Sequence, residues 1–336
     1  MFTPQLTCAP MEGLTTVVFR QVHARVFGCV DRYYIPFVTP TREPRFTERQ
    51  MRELSPEANS RFTAIPQLLT RSVEDFVWAA KSLRDMGYEE VNLNLGCPAG
   101  TVTAKGKGSG FLRTPTELET FLERIFEADL MIGISIKTRL GWSNTEEFED
   151  LARIYARFPL TRLIVHARLK TDLYKGDARS EIVEAALPLL PVPYGCNGDI
   201  VTPADIENAQ KRGVQAPGGL AEIMVGRALM ADPALFRKAR SGRAAALAEI
   251  LAFSDELFET YAERFESRKN ALMRLKEYWF YQSCLFGRDD EDEAVRRASS
   301  RLFRCKEPDD FQAALRDFTS NFELRRDARF GWRKSL

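Results

Sequence analysis

The sequence predicts an α/β fold class, a (β/α)8 TIM barrel followed by a C-terminal all-helical domain, and three observations predict it. A short apolar run recurs eight times between residues 6 and 226, and most runs are followed by a segment of helical periodicity. Beyond residue 244 the helical periodicity continues with no further strand signal. Short apolar runs alternating with amphipathic segments are the mark of βα units closing a parallel sheet.

In order, the runs are LTCAPM (6–11), CVDRYYIP (29–36), FTAIPQLL (62–69), EVNLNL (90–95), IGISIK (132–137), RLIVHA (162–167), VPYGCNG (192–198) and AEIMVG (221–226). The helices between them carry their own punctuation. Ser72 caps a helix over Val73–Met86 that stops at Gly87, Thr114-Pro115 opens one through Phe126, and Thr202-Pro203 opens one that ends at Gly213. An open doubly wound sheet would want a glycine fingerprint after the first strand, and APMEGLTT is not one. The barrel domain is therefore drawn over residues 1–243 and a helical domain over 244–336. The acidic run RDDEDEA (288–294) fits an exposed turn or a helix start.

Composition removes several function classes. The 336-residue chain is 44% hydrophobic and 28% charged with a net charge of +1, so any nucleic-acid surface must be local. No apolar run approaches the roughly 18 residues of a membrane span, and the first residues do not resemble a signal peptide. Six cysteines without a CxxC pair, and two histidines, argue against a disulfide framework and against a metal site. A cytoplasmic protein with free thiols is expected.

Chemistry in such a barrel gathers at the C-terminal ends of the strands. The exits place Pro10 and Met11 after strand one, Gln67 on strand three, Asn94 and Cys97 after strand four, and Lys137 and Arg139 after strand five. His166 follows on strand six, Asn197 and Asp199 on strand seven, and Gly226 and Arg227 on strand eight. The last two corners are glycine-rich, as phosphate-binding corners are, although glycine at a βα corner is more often simple turn geometry. A lysine there suits a negatively charged ring, and Gln67 suits paired hydrogen bonds to a planar heterocycle.

APMEG, LNLGCPAGTVTAKGKGSGFL, SIKTRLGW, IVHARLK, CNGD and IMVGRALM occur in the order seen in tRNA-dihydrouridine synthases, and MRLKEYWFY resembles a helix of the bacterial C-type enzymes. The sequence departs from the family pattern at Ala167, where glycine is usual, and at Arg179, where tryptophan is common. The resemblance implies an FMN-containing barrel that reduces a D-loop uridine of tRNA, position 16 for the C-type, with NADPH as reductant. It implies that Pro10, Met11, Gln67, Lys137 and His166 line the flavin, with Asn197, Asp199, Gly226 and Arg227 at its ribityl and phosphate end. It further implies that Asn94 and Arg139 hold the uridine and that Cys97 is the catalytic thiol. Carbon protonation at C5 wants a small acid that is protonated near neutral pH, which a cysteine of pKa near 8.5 provides.

The KGKGSG stretch (105–110) is expected as a mobile lid, and RKARSGR (237–243) and LRRDARFGWRKSL (324–336), the latter around Phe330 and Trp332, as the tRNA-binding patches. The expected partner is tRNA, with no membrane, no metal and a monomeric enzyme. Two rival readings are an FMN barrel acting on a free pyrimidine or enone, and a silent tRNA-binding protein. The helical extension argues against the first, and Cys97 with Lys137 against the second.

Overall fold

The computed structural model describes residues 3–213, 216–289 and 291–330. Nine strands form one all-parallel sheet: β1 Gln5–Cys8, β2 Arg32–Tyr34, β3 Ala64–Ile65, β4 Gln67–Leu68, β5 Glu90–Leu95, β6 Gly133–Gly141, β7 Arg162–Leu169, β8 Tyr194–Asn197 and β9 Leu220–Val225. Their order is β3-β2-β1-β9-β8-β7-β6-β5-β4. The two outer members are adjacent in sequence and separated only by Pro66. Proline has no N–H to give a ladder, so it splits one strand into two. The first half pairs with β2 and the second with β5, while the Pro66 carbonyl still accepts from Asn92 N at 2.8 Å. The sheet thereby closes on itself as an eight-stranded barrel, with the 62–69 run supplying both halves.

Two strands run further than their apolar runs. β6 continues through Lys137 and Arg139 to Gly141, with a register shift between Arg139 and Gly141, and β7 continues through His166 to Leu169. Polar residues mark the end of an apolar run but not the end of hydrogen bonding. Here they face a polar barrel mouth rather than solvent beyond the strand.

Local signals set the helix starts. The Val73–Asp85 helix is capped by Ser72 Oγ, which accepts from Asp75 N at 3.1 Å. In the Pro203–Gly213 helix, Thr202 and Asp205 cap each other: Asp205 N donates to Thr202 Oγ1 at 3.2 Å and Thr202 N to Asp205 Oδ2 at 2.8 Å. The acidic run becomes the first turn of the Asp292–Arg304 helix, where negative charge favours the helix N-terminus.

At the strand starts the barrel is floored by ion pairs rather than by apolar layers alone. Glu90 bridges Arg32 at 2.9 Å and Arg162 at 3.2 Å, and Arg162 reaches Glu222 at 3.2 Å. Burial pushes the Glu222 carboxyl up to about 7 against the pull of Arg162, and the Tyr34 hydroxyl donates to it at 3.0 Å.

The C-terminal helices, beginning with Leu247–Phe265 and Arg268–Gln282, share a continuous apolar core with one side of the barrel. Phe19 stacks on Tyr278 at 5.7 Å and Phe27 meets Phe253 edge-on at 5.2 Å. The final stretch then doubles back. Arg325 N and Arg329 N donate to the carbonyls of Leu285 and Cys284 at 2.8 and 2.9 Å, and Lys238 from the barrel pairs with Asp327 at 2.7 Å. No helix among the described residues is long and apolar enough to cross a membrane.

Candidate active site

Alternation along β5 turns Asn92 and Asn94 to one face, and there they form a chain of amides with Gln67. Asn94 Nδ2 donates to Gln67 Oε1 at 2.8 Å, Gln67 Nε2 to Asn92 Oδ1 at 2.7 Å, and Asn92 Nδ2 to Ser135 Oγ at 2.9 Å. The chain fixes every amide orientation. Gln67 is wholly buried and is not among the residues that line the cavity described below.

Asn94 sets the corner that carries the thiol. Its Oδ1 accepts from Gly96 N at 3.1 Å and from Cys97 N at 2.9 Å. The Cys97 carbonyl accepts in turn from Ser109 N at 3.1 Å and Ser109 Oγ at 2.9 Å. A Cβ on Gly108 would stand 2.8 Å from that carbonyl, and the residue has φ +56°, so glycine is required there. The 105–110 stretch is thus no loose lid. Lys105 is exposed, but Gly108, Ser109 and Gly110 are buried and clamp Cys97 from behind. Burial raises the Cys97 thiol above its ordinary value, with a hydrogen bond from the Ala99 backbone opposing the shift.

Arg139 anchors the opposite wall. Its Nε donates to the Gly96 carbonyl at 2.8 Å, and one terminal nitrogen donates to the carbonyls of Leu169 and Leu173 at 2.9 and 2.7 Å. The other terminal nitrogen keeps its hydrogens for a neighbour or a ligand. The guanidinium lies over the Tyr174 ring at 5.3 Å, and Arg227 lies over the same ring at 5.2 Å.

Next to this wall is a cavity of about 530 Å³, within the range of ligand sites. Pro10, Met11, Lys137 and His166 line one part, and Asn197, Asp199, Gly226 and Arg227 another. Eight of the nine residues expected at the cofactor are therefore brought together; Gln67 is the one outside. Gly226 lets the backbone come close, since a Cβ there would stand 3.3 Å from Ala9 Cβ and Met11 Sδ. Asn197 Nδ2 ties β8 to β9 through the Met224 carbonyl at 2.8 Å.

The electrostatics of the cavity are one-sided. Lys137 has no hydrogen-bond or ion-pair partner among the described residues, and burial, then Arg139, pulls its ammonium down to about 8. His166 is held well below its usual range by burial and by Arg139, Lys137, Arg168 and Arg227. The carboxylate of Asp199 is already engaged: it accepts from Arg168 at 2.7 Å and Ala178 N at 2.7 Å, with Arg227 at 3.6 Å. Asp205, the other acid of the lining, is likewise engaged by Val201 N at 3.0 Å and Thr202 N at 2.8 Å, so both carboxylates of the wall are already bonded whereas Lys137 is not. An unpaired, half-buried ammonium in a cavity marks a place for an anionic or electron-rich ligand.

Four residues escaped the sequence reading as site members. Arg168 stands two positions beyond His166 on the same face of β7, so strand period could have found it. Tyr174 closes the space between the two arginines. Tyr281 and Phe330 enter the cavity wall from the C-terminal helical part, which no local pattern announces. Among the described residues no group of three His, Cys, Asp or Glu side chains could hold a metal ion.

The expected basic patches are mostly spent within the fold. Arg237 is paired with Glu249 at 2.9 Å, Arg240 with Asp31 at 2.5 Å, and Arg325 with Asp292 at 2.8 Å, while Lys238 is buried between Asp232 and Asp327. Trp332 lies outside the described residues. Arg301, Arg304 and Lys306, on and just after the Asp292–Arg304 helix, and Arg326 are exposed instead.

Fold and cavity together define a (β/α)8 barrel protein with a cation-lined ligand site at the C-terminal ends of its strands and a helical extension that completes the wall. The chain belongs to the dihydrouridine synthase family, whose family model matches residues 7–323. It is 29% identical over 337 aligned positions to a probable tRNA-dihydrouridine synthase of Staphylococcus epidermidis, covering 97% of this chain and 96% of the relative. It is 31% identical to a tRNA-dihydrouridine(16) synthase of Pseudomonas syringae pv. tomato over 70% of this chain and 74% of that one. Among solved structures, an old yellow enzyme homologue from Zymomonas mobilis superposes with a TM-score of 0.51 at 13% identity, covering 73% of this chain and 91% of that chain. That likeness is one of fold.

Proposed function

We propose that this protein reduces the C5–C6 bond of a uridine in tRNA, with FMN in the cation-lined cavity and NADPH as reductant. The observation that carries the reading is Lys137, a half-buried ammonium without a hydrogen-bond or ion-pair partner among the described residues, which lines the cavity. FMN, when bound, supplies the hydride chemistry. Lys137 supplies fixed positive charge beside the ring, and Pro10 and Met11 an apolar wall. Asn197, Gly226 and Arg227 hold the ribityl and phosphate end, with Asp199 keeping that corner in shape through Arg168 and Ala178 N.

Asn94 retains one N–H for the uracil edge, and Arg139, bonded to the Gly96, Leu169 and Leu173 carbonyls and to Tyr174, holds its guanidinium beside that edge. Cys97 keeps its proton near neutral pH because burial disfavours the thiolate, and it delivers that proton to C5. The name of the Pseudomonas syringae relative supports position 16 as the target. We assign residues 1–243 to the catalytic barrel and 244–336 to the tRNA grip. In that grip the exposed Arg301, Arg304 and Lys306 make phosphate contacts in place of the patches that the fold consumes. The substrate places the enzyme in the cytoplasm, and one chain carries every residue that the reaction uses.

The test is cofactor content and its pH dependence. Purified protein should carry FMN. The affinity of the stripped protein for reduced FMN, titrated anaerobically, should be level below about pH 8 and fall as pH rises further. An anion binds the protonated Lys137, and above the free-state value of about 8 that proton must first be taken up. The fall approaches tenfold per pH unit. Lys137→Met should bind more weakly at neutral pH and lose the break. Equal affinity and an unchanged break in the variant would remove Lys137 from the cofactor site.

A further inference from the structure

We propose that Arg168 is a positioning residue that fixes His166 as the neutral imidazole with its proton on Nδ1, so that the cavity is offered an N–H donor. An Arg168 terminal nitrogen lies 3.1 Å from His166 Nε2. A guanidinium has donors only, so Nε2 must supply the lone pair, and the single ring proton resides on Nδ1. The described residues give Nδ1 no hydrogen-bond partner, and His166 lines the cavity.

Arg168 cannot turn away from this task. It is 2% exposed, and its other terminal nitrogen donates to the Asp199 carboxylate at 2.7 Å and to the Gly176 carbonyl at 2.7 Å. Asp199 is itself held by Ala178 N at 2.7 Å. A relay thus runs from the β8 corner through Asp199 and Arg168 to the far nitrogen of the imidazole. A second ring proton is opposed by burial and by the positive charges of Arg139 and Lys137 on β6, Arg168 on β7 and Arg227 after β9, and the Tyr174 ring lies 6.2 Å away. Asp199, the acid of this group, is engaged by Arg168.

The outcome matters for the ligand. An Nδ1–H donor suits a carbonyl or a deprotonated nitrogen of a planar ring, whereas the other tautomer would turn a lone pair toward that acceptor and repel it. Only the identity of the acceptor rests on the flavin reading above; the tautomer does not.

The chain contains an internal control. Its other histidine, His23, is buried with Nε2 2.8 Å from the Pro233 carbonyl, which can only accept, and Nδ1 2.8 Å from the Tyr33 hydroxyl. His23 therefore carries its proton on Nε2, the opposite arrangement. With two histidines in the sequence, long-range 1H–15N spectra of the full chain labelled with 15N-histidine resolve both rings, and neither flavin nor tRNA is needed.

The expected result is one Nε2–H and one Nδ1–H imidazole at neutral pH, with the Nδ1–H set absent from His166→Gln. An Nε2–H or doubly protonated His166 would overturn the proposal. In Arg168→Met the His166 ring should leave the pure Nδ1–H state, because Nε2 no longer faces an obligatory donor, while the His23 signals stay fixed and report an intact fold. Retention of pure Nδ1–H in that variant would show that Arg168 is not the fixing group. Should the variant not fold, the parent spectrum decides alone.

Discussion

Replacing Cys97 with alanine should leave a folded protein that retains flavin and accepts hydride from NADPH, while dihydrouridine formation falls by roughly 10²–10⁴-fold, the usual contribution of a positioned proton donor. The corner around Cys97 is held mainly through its backbone, by Asn94 Oδ1 on the N–H and by Ser109 on the carbonyl, so loss of the thiol removes only its contact with the Ala99 backbone. Burial keeps the thiol protonated, as an acid awaiting a carbanion must be and a nucleophile need not be. Cys97→Ser should rescue little, because a hydroxyl of similar size is a far weaker acid. Single-turnover reduction of tRNA by pre-reduced enzyme compares the three proteins, and parental rates in the alanine variant would make Cys97 a packing residue.

The second large effect is on stability. Lys238 is 3% exposed and pairs with Asp232, itself 2% exposed at the side chain, and with Asp327, while also donating to the Arg326 carbonyl. Lys238→Met should cost about 3–5 kcal/mol, because it strands the Asp232 carboxylate in the interior. The cost shrinks as pH falls. Burial already raises the Asp232 pKa with Lys238 opposing, and without the lysine the carboxyl protonates more readily. The double variant Lys238→Met with Asp232→Asn should recover part of the loss, since no unpaired charge then remains buried. Urea unfolding should show a lowered midpoint for the single variant and an intermediate one for the double. A single variant as stable as the parent would show that the pair is hydrated and inconsequential. Through Asp327 and the Arg326 carbonyl, Lys238 also ties down the segment that brings Phe330 to the cavity wall.

Much of this was legible along the chain because it depends on neighbours in sequence. Ser72 and Thr202 announce their helices within three residues, and eight of the nine residues read at the strand exits for the cofactor line one cavity. What was not legible depends on partners far away. Arg240, Arg325 and Lys238 look like free cations until folding brings Asp31, Asp292 and Asp327 to them. Gln67 is bonded to Asn92 and Asn94 across strands that lie 25 and 27 residues apart in sequence, which no local pattern shows. The glycines after Lys105 suggest looseness, yet Gly108 is there because nothing larger fits against the Cys97 carbonyl. Tyr281 and Phe330 reach the cavity only because the helical part shares a core with the barrel.

The most direct test of the central claim is the position of dihydrouridine in tRNA from cells lacking this protein, compared with the same cells carrying the parent gene or Cys97→Ala. The account predicts that dihydrouridine at position 16 disappears without the protein, returns with the parent and does not return with the variant. An unchanged dihydrouridine map in the cells that lack the protein would contradict it.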